Sequence, residues 1–283
     1  MGAKEYLLPR SVDEAVGLLA KHGPSLLIMA GGTIAMPLIN EGVSFPERVM
    51  GLKHAGLNGL EQGNAHLTIG ACTTLSQVVA WEAIPSLREA AHSVGGWAIR
   101  NMATVGGNLF APPPAGDLAT MLLALDAVVM LARQGGSRRV LLRDFYTGFM
   151  TSVLEPGELV TEFRVPQPVG KMAFQKFGRR QANTPAVVTV AACIDFDGDT
   201  VRGARLALGA VGPHPQRSIR AESLVVGSAL DDGIIDQAAA LAAEDCDPIA
   251  DAIASEWYRR HMTSIMVSRT LRQIANQEEP HGI

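Results

Sequence analysis

The stretch TVGGNLFAPPPAGD, from Thr104 to Asp117, is the feature that most restricts what this chain can fold into. Its glycine pair and three consecutive prolines disfavour both a helix and a regular strand. Gly106 and Gly107 allow positive φ angles and close approach of a ligand, and Asn108 can donate and accept hydrogen bonds. The prolines fix φ, so the segment is predicted to be rigid before any ligand arrives.

Asp117 closes this stretch at the predicted start of a buried helix. The commoner role of Asp at such a junction is to cap the helix. The alternative is that its carboxylate accepts hydrogen bonds from a ligand hydroxyl. The residues alone favour the cap and leave the second role open.

A second glycine turn follows an apolar run at 26–30 that predicts a buried strand. Gly31 and Gly32 would let backbone N–H groups point into one concavity, and Thr33 adds a hydroxyl, which together suit an anion. A tight turn without ligand is the commoner explanation of so short a motif. The nucleotide fingerprints GxGxxG and GxxxxGK[ST] are both absent.

The composition excludes several classes of function. A length of 283 residues, with 47% hydrophobic and 18% charged residues, predicts a globular protein of two or three subdomains. A net charge of -4 without a basic run argues against nucleic acid, and no apolar segment is long enough for a membrane span. The first residues lack the apolar core of a signal peptide.

The side chains that carry chemistry are equally restrictive. Cys72, Cys193 and Cys246 are widely spaced, so they predict neither an iron–sulfur cluster nor a disulfide framework and fit a reducing cytoplasm. No HExxH, GxSxG or paired-carboxylate motif occurs. Arg179 and Arg180 could contact phosphate, but a solvated strand end is the commoner explanation.

Hydrophobic periodicity predicts a mixed order of helices and strands. Ser11 and Glu14 form a capping-box signature, and Thr73 or Thr74 is expected to cap a later helix. The tail 276–283 is expected to fray. The predicted strands lie at 6–8, 26–30, 66–69, 157–166, 171–180 and twice within 186–212, with two more around a Gly-Gly turn at 135–136; the predicted helices lie at 11–22, from 117, 219–229, 234–244 and 255–277.

Several segments together resemble one family over almost the whole chain. They are AGGT with a following Pro-Leu, RNMATVGGN, PAGDLATMLLALDA, GELVTEFRVP, FQKFGRR and SEWYRRHM. In this order they resemble the FAD-binding medium subunits of the molybdenum hydroxylases, which include the carbon monoxide dehydrogenase medium chain and the FAD domain of xanthine dehydrogenase.

The resemblance implies an α+β protein with the vanillyl-alcohol-oxidase-type (PCMH-type) FAD-binding fold. Two α/β subdomains, at 1–55 and 56–170, would hold an extended FAD between them. Residues 171–283 would form a C-terminal α+β domain of the carbon monoxide dehydrogenase flavoprotein type.

The resemblance also implies which residues hold the cofactor. Two glycine-rich loops would share the FAD pyrophosphate, and neither contains Lys or Arg, so backbone N–H groups would stabilise it. An acidic residue and two strand residues would approach the flavin. The first loop would be Met29, Ala30, Gly31, Gly32, Thr33, Ile34 and Ala35, the second Thr104, Gly106, Gly107 and Asn108, and the flavin residues Asp117, Val160 and Lys176.

The chain departs from these relatives at two places. Relatives often carry hydroxyl side chains between the Gly-Gly-Asn and the Asp, and here Ala111 and Pro113 lack them, so the prolines Pro112–Pro114 are expected to make this flavin site differ from the family's. Thr184-Pro185 stands where some relatives have an aromatic residue near the flavin ring.

The function implied by the resemblance is electron transfer. A small subunit with two [2Fe-2S] clusters would pass electrons to the FAD of this chain, beside a large molybdopterin subunit, and an external acceptor such as NAD, quinone or oxygen would receive them. Two alternatives stay open. One is a stand-alone flavin oxidase, which usually carries a His or Cys for covalent flavin attachment, and the other is an assembly subunit that has lost FAD.

Overall fold

The computed structural model describes residues 3–277 and builds them around three larger β-sheets and one short hairpin. The first sheet is parallel, with strand order β1-β3-β2. The Ser11 hydroxyl accepts the Glu14 N–H at 3.1 Å and so starts the first helix, as predicted. Its elements are β1 (Glu5–Leu7), α1 (Val12–His22), β2 (Leu26–Met29), α2 (Ala35–Asn40) and β3 (Arg48–Gly51).

The second sheet is antiparallel, with order β4-β5-β10-β6-β7. Thr74, not Thr73, caps its first helix through a capping box with Gln77, because the Thr73 hydroxyl instead donates to Gly59 O at 2.9 Å. The elements are β4 (Leu60–Gln62), β5 (His66–Gly70), α3 (Leu75–Ala80), α4 (Pro85–Ser93), α5 (Trp97–Arg100), α6 (Val105–Leu109), α7 (Asp117–Ala124), β6 (Val128–Arg133), β7 (Gly136–Leu141), the hairpin β8 (Tyr146–Gly148) and β9 (Thr151–Ser152), and β10 (Leu159–Pro166).

The expectation that TVGGN spoils a helix is wrong, because Val105–Leu109 forms the short helix α6. Thr104 caps it by accepting the Gly107 N–H. Gly106 and Gly107 do not use the positive φ angles that glycine allows, whereas Gly116 has a φ of 95°. A cap that satisfies the first turn allows two glycines to remain helical here.

Asp117 is not the helix cap that the sequence favoured. Gly116 takes the N-cap position of α7 in the left-handed region, and Asp117 is the first helical residue. Its carboxylate points away from the helix end and meets Lys176. All eight residues of α7 are buried, which confirms the predicted buried helix.

The third sheet is antiparallel, with order β11-β12-β13-β14. Alternate residues along it point to opposite faces, and both faces are covered. Ala191 and Cys193 face the core around α7, while Val190 and Ala192 face the core of the last two helices. The elements are β11 (Lys171–Gly178), β12 (Ala186–Asp197), β13 (Thr200–Gly209), β14 (Gln216–Arg217), α8 (Ile219–Val225), α9 (Asp232–Glu244) and α10 (Glu256–Ala275).

The C-terminal helices are present with shifted ends. The helix predicted at 219–229 ends at Val225, and the following residues form a turn that pairs with β13. Asp231 caps α9, which begins at Asp232, two residues before the predicted start at 234. Most of the tail predicted to fray, 278–283, lies outside the described residues. Among residues 3–277, no helix combines the length and apolar character needed to cross a membrane.

Candidate functional site

A cavity of about 700 Å³ lies where the first two sheets meet the third. Every one of the fourteen candidate residues lines it, although they come from five separate segments of the chain. A volume of this size suits a ligand larger than a simple metabolite. The lining therefore brings together both glycine loops, Asp117, Val160 and Lys176.

Gly31 is the point at which the two glycine loops touch. A Cβ added at Gly31 would lie 1.8 Å from Met102 O, so only glycine fits against the segment that leads into α6. Gly32 has a φ of 73°, a conformation that side chains with Cβ rarely adopt. The strand-to-helix turn after β2 is thus shaped by both glycines.

The first loop presents a row of uncommitted backbone donors. Within residues 3–277, the N–H groups of residues 31–35 donate to no protein acceptor. The first intrahelical bond of α2 is made by the Met36 N–H, which donates to Gly32 O at 2.9 Å. Adjacent N–H groups beside a cavity form a concavity that binds anions without a Lys or Arg.

The second loop is arranged differently. Most of its N–H groups are already used, since Val105 donates to Thr73 O, Gly106 to Ala71 O and Gly107 to Thr104 Oγ1 at 3.1 Å. The sequence argument that both loops offer backbone donors therefore holds for only part of this one. Among the described residues, the N–H and the hydroxyl proton of Thr104 have no acceptor.

Asn108 contributes half of the hydrogen-bonding capacity that its sequence suggested. Its Oδ1 accepts the Ala119 N–H at 3.2 Å, which fixes the side chain against α7. The amide nitrogen is left as a donor at the cavity. A Cβ at Gly107 would lie 3.0 Å from Thr104 Oγ1, a tight contact, so the absence of a side chain here leaves room for the capping hydroxyl.

An ion pair lies at the other end of the cavity. Lys176 Nζ is 2.5 Å from Asp117 Oδ2 and donates to Ser93 O at 3.0 Å. The Asp117 side chain is buried and that of Lys176 is largely buried. Burial raises the pKa of Asp117, and the neighbouring Lys176 ammonium opposes this rise. Asp117 Oδ1 has no protein donor in the described residues and can accept from a ligand.

Val160 lines the cavity where β10 departs from regular pairing with β6. The side chain is buried, so it supplies an apolar wall. Glu158, two residues earlier, also lines the cavity, and Arg138 grips both of its oxygens at 2.6 and 2.7 Å. These hydrogen bonds lower the pKa of Glu158, so this part of the wall is a fixed ion pair.

Sequence reasoning missed part of the lining. Cys72 lines the cavity, although it is not among the cofactor-binding residues expected from the sequence. Burial raises the pKa of its thiol to about 11, so it is not a thiolate. Ala71, Gly95, Ile99 and Ala103 also line the cavity, and small or apolar residues of this kind carry no motif that a sequence could reveal.

The three prolines lie outside the wall of this cavity. Within the described residues, Phe110, Ala111, Ala115 and Gly116 line it from the segment 109–116, while Pro113 lines a neighbouring cavity of about 80 Å³. Of the two positions that lack the relatives' hydroxyls, only Ala111 therefore lies at the large cavity, and an influence of the prolines on the flavin site stays a prediction. Thr184 and Pro185, by contrast, do line the large cavity.

Comparison with known proteins gives the same picture over the whole chain. A family model of the FAD binding domain in molybdopterin dehydrogenase matches residues 2–168, and one of the CO dehydrogenase flavoprotein C-terminal domain matches residues 172–274. The chain is 30% identical over 279 residues to the carbon monoxide dehydrogenase medium chain of Afipia carboxidovorans, with 96% of each chain covered.

Two further similarities cover nearly complete chains. Identity to subunit alpha of the 6-hydroxypseudooxynicotine dehydrogenase complex of Paenarthrobacter nicotinovorans is 32% over 289 residues, covering 98% of this chain and 96% of that one. A solved structure of reconstituted CO dehydrogenase from Oligotropha carboxidovorans matches with a TM-score of 0.94 and 30% identity, over 98% of this chain and 99% of that chain.

The fold is thus the vanillyl-alcohol-oxidase-type (PCMH-type) FAD-binding fold with a C-terminal α+β domain, and it defines a flavoprotein of the oxidoreductase class. The chain belongs to the FAD-binding medium subunits of the molybdenum hydroxylases. Its cofactor is FAD.

Proposed function

We propose that this chain carries electrons, through FAD held in the large cavity, from the [2Fe-2S] clusters of a small subunit to an external acceptor. A large molybdopterin subunit would complete the assembly and oxidise the substrate. The acceptor would be NAD, quinone or oxygen. Relatives named carbon monoxide dehydrogenase medium chain and 6-hydroxypseudooxynicotine dehydrogenase subunit support a role within a larger complex.

The single observation that carries this proposal is that the N–H groups of residues 31–35 donate to no acceptor in the part of the chain that the structure describes. A diphosphate is a doubly charged anion, and several converging backbone donors stabilise it in place of a cation. Thr104 and the Asn108 amide would add side-chain donors from the opposite loop. The donor set therefore fits the pyrophosphate of FAD.

At the other end, we assign the flavin to the wall formed by Asp117, Val160 and Lys176. Asp117 Oδ1 would accept a hydrogen bond from the cofactor, while its other oxygen keeps Lys176 in place. The Lys176 ammonium would supply positive charge, and Val160 would exclude water. Bound FAD supplies the redox chemistry, and the chain supplies binding, orientation and electrostatics.

The iron–sulfur clusters are assigned to another chain because the described residues of this one offer no ligand set for them. Within residues 3–277, no three His, Cys, Asp or Glu side chains are grouped in a way that could hold a metal ion. All three cysteines are buried and free. The raised thiol pKa values, each about 11, also disfavour metal-binding thiolates.

We also propose the division into units at 1–55, 56–170 and 171–283, and a cytoplasmic location. The three sheets support the division, since each draws its strands from within one of these ranges. Three free cysteines fit a reducing compartment.

Purification of the chain from its natural cells tests the proposal. The expected result is co-purification with two other chains, one carrying molybdenum and one carrying iron and sulfide, with FAD bound to this chain. Substrate should reduce the flavin only when all three chains are present. Substrate turnover by the isolated chain would instead indicate the stand-alone oxidase.

A further inference from the structure

We propose that Arg259 is a positioning residue for the FAD site: it does not line the cavity, but it holds residues that do. Through its guanidinium it would fix the segment Asn183-Thr184-Pro185, defined here as the wall segment, which lines the cavity. The inference rests on the proposed binding of FAD in that cavity. The wall segment is part of the connection between β11 and β12 of the third sheet, outside both glycine loops.

Arg259 is one of the largest fully buried side chains of the protein, with 1% exposure. Its Nη1 donates to Ala186 O, Val187 O and Ala210 O at 3.1, 2.7 and 2.9 Å. Its Nη2 donates to both carboxylate oxygens of Asp251, at 2.9 and 2.8 Å. A buried charge held by three carbonyls and a carboxylate is a strong constraint on every segment that it joins.

The guanidinium therefore ties together the start of β12, the end of β13 and the loop before α10. Ala210 is held at a φ of 64°, outside the conformations that alanine prefers. Asp251 is itself oriented by the N–H groups of Ile253 and Ala254, at 2.8 and 3.0 Å. Each partner of the guanidinium thus has a fixed place.

The connection to the cavity is covalent and short. Ala186, whose carbonyl accepts from Arg259, directly follows Pro185 of the wall segment. Asn183, at the other end, has a φ of 47°. Since β12 is pinned where the wall segment ends, movement of Ala186 would move Thr184 and Pro185 into or away from the cavity.

Gly178 fixes the wall segment from the other side. A Cβ at Gly178 would lie 2.7 Å from Thr184 Cγ2 and 3.3 Å from Pro185 O, so the segment packs against the bare backbone of β11. Lys176 is two residues away on the same strand and also lines the cavity. Arg259 and Gly178 together would hold the wall segment at the Lys176 end of the site.

The test compares four variants of the full chain. Arg259→Lys keeps the charge but loses the planar fork, and Asp251→Asn removes the partner's charge. Arg260→Lys is the matched control, because Arg260 lies on the same helix, is exposed and donates to Ala243 O, away from the wall segment. Val267→Ala, in the buried core of α10, controls for lost stability alone.

Three readouts are measured well below the unfolding transition of each variant: the Kd for FAD, the visible circular dichroism of bound FAD, and the rate of trypsin cleavage after Arg179 and Arg180. These two arginines precede the wall segment. For Arg259→Lys and Asp251→Asn, we expect a Kd raised about tenfold or more, an altered visible spectrum and faster cleavage. Arg260→Lys and Val267→Ala should match the wild type in all three.

The proposal would be overturned if Arg259→Lys and Asp251→Asn both matched the wild type in Kd, visible spectrum and cleavage rate. It would also be overturned if Val267→Ala changed the three readouts as much as these two variants do. If Arg259→Lys does not fold, Asp251→Asn decides alone, because its side chain is partly exposed. Failure of the wild type to bind FAD would refute the proposed function instead. The cleavage rates of the FAD-free variants would still test whether Arg259 fixes the wall segment.

Discussion

Lys176 Nζ, on strand β11, lies 2.5 Å from Asp117 Oδ2, in the first turn of α7. The pair joins the third sheet to the second unit inside the cavity, and Ser93 O holds the same ammonium group from α4. The Asp117 carboxylate is buried and the Lys176 ammonium is largely buried, so the carboxylate depends on its partner. This pair therefore contributes to the stability of the fold as well as to the proposed flavin site.

Removing the cation from this pair should destabilise the protein strongly. Lys176→Met leaves the Asp117 carboxylate buried without its partner, and we expect the free energy of unfolding to fall by about 3–5 kcal/mol. Urea unfolding of the FAD-free chain measures it. The double variant Lys176→Met/Asp117→Asn, which has neither charge, should regain part of the loss; a double variant as unstable as the single one would argue against charge burial as the cause.

Relative to the wild type, Lys176→Met should gain stability as the pH falls. Burial raises the pKa of Asp117 above its ordinary 3.8, and loss of the Lys176 ammonium removes the opposing effect. A carboxyl whose pKa is raised by folding binds its proton at a higher pH in the folded protein than in the unfolded chain. Its charged form therefore destabilises the fold above the folded-state pKa, and protonation removes this destabilisation as the pH falls below that pKa. The deficit of Lys176→Met relative to wild type should thus shrink between neutral pH and pH about 4. A deficit constant over that interval would contradict this reasoning.

Gly107 offers a direct test of the second loop. Gly107→Asp places a carboxylate beside the proposed pyrophosphate, with its Cβ 3.0 Å from Thr104 Oγ1, and we expect FAD retention to be abolished by repulsion while the fold remains. Gly136→Asp is the control, because Gly136 has open space around its Cβ position and lies on the exposed hairpin of β6 and β7. Flavin absorbance and far-ultraviolet circular dichroism are measured for both; unchanged flavin content in Gly107→Asp would refute the loop assignment.

Cys72 lines the cavity, yet we expect the FAD to be bound without a covalent link. Its thiol pKa is raised to about 11 by burial, so the nucleophilic thiolate is scarce at neutral pH. Acid precipitation of the protein should release all flavin into the supernatant. If flavin stayed in the pellet of the wild type but not in the pellet of Cys72→Ser, this would support the stand-alone oxidase.

The sequence predicted the composition of the cavity wall better than its hydrogen bonding. Met29 and Lys176 are far apart in the chain, and only the resemblance of several ordered segments grouped them in one site. Local pattern alone favoured a ligand-free turn at Gly31 and a helix cap at Asp117. Several motifs in a fixed order along the chain indicate a shared fold, whereas local propensity describes only the conformation of each short segment.

What could not be predicted depends on contacts between distant segments. The N–H of Gly106 is used by Ala71 O, and that of Val105 by Thr73 O, because α6 packs beside the end of β5. No property of TVGGN itself signals these acceptors. Likewise, Asp117 faces Lys176 rather than its own helix end because Gly116 takes the cap position.

The central claim is that the cavity between the two glycine loops holds FAD through the free N–H groups of residues 31–35. The visible absorbance spectrum of the purified chain, after incubation with FAD and removal of the unbound cofactor, tests it most directly. We predict flavin bands that correspond to stoichiometric FAD, and loss of these bands when excess ADP, which presents the same diphosphate, competes for the loop. A spectrum without flavin bands after incubation would contradict the claim.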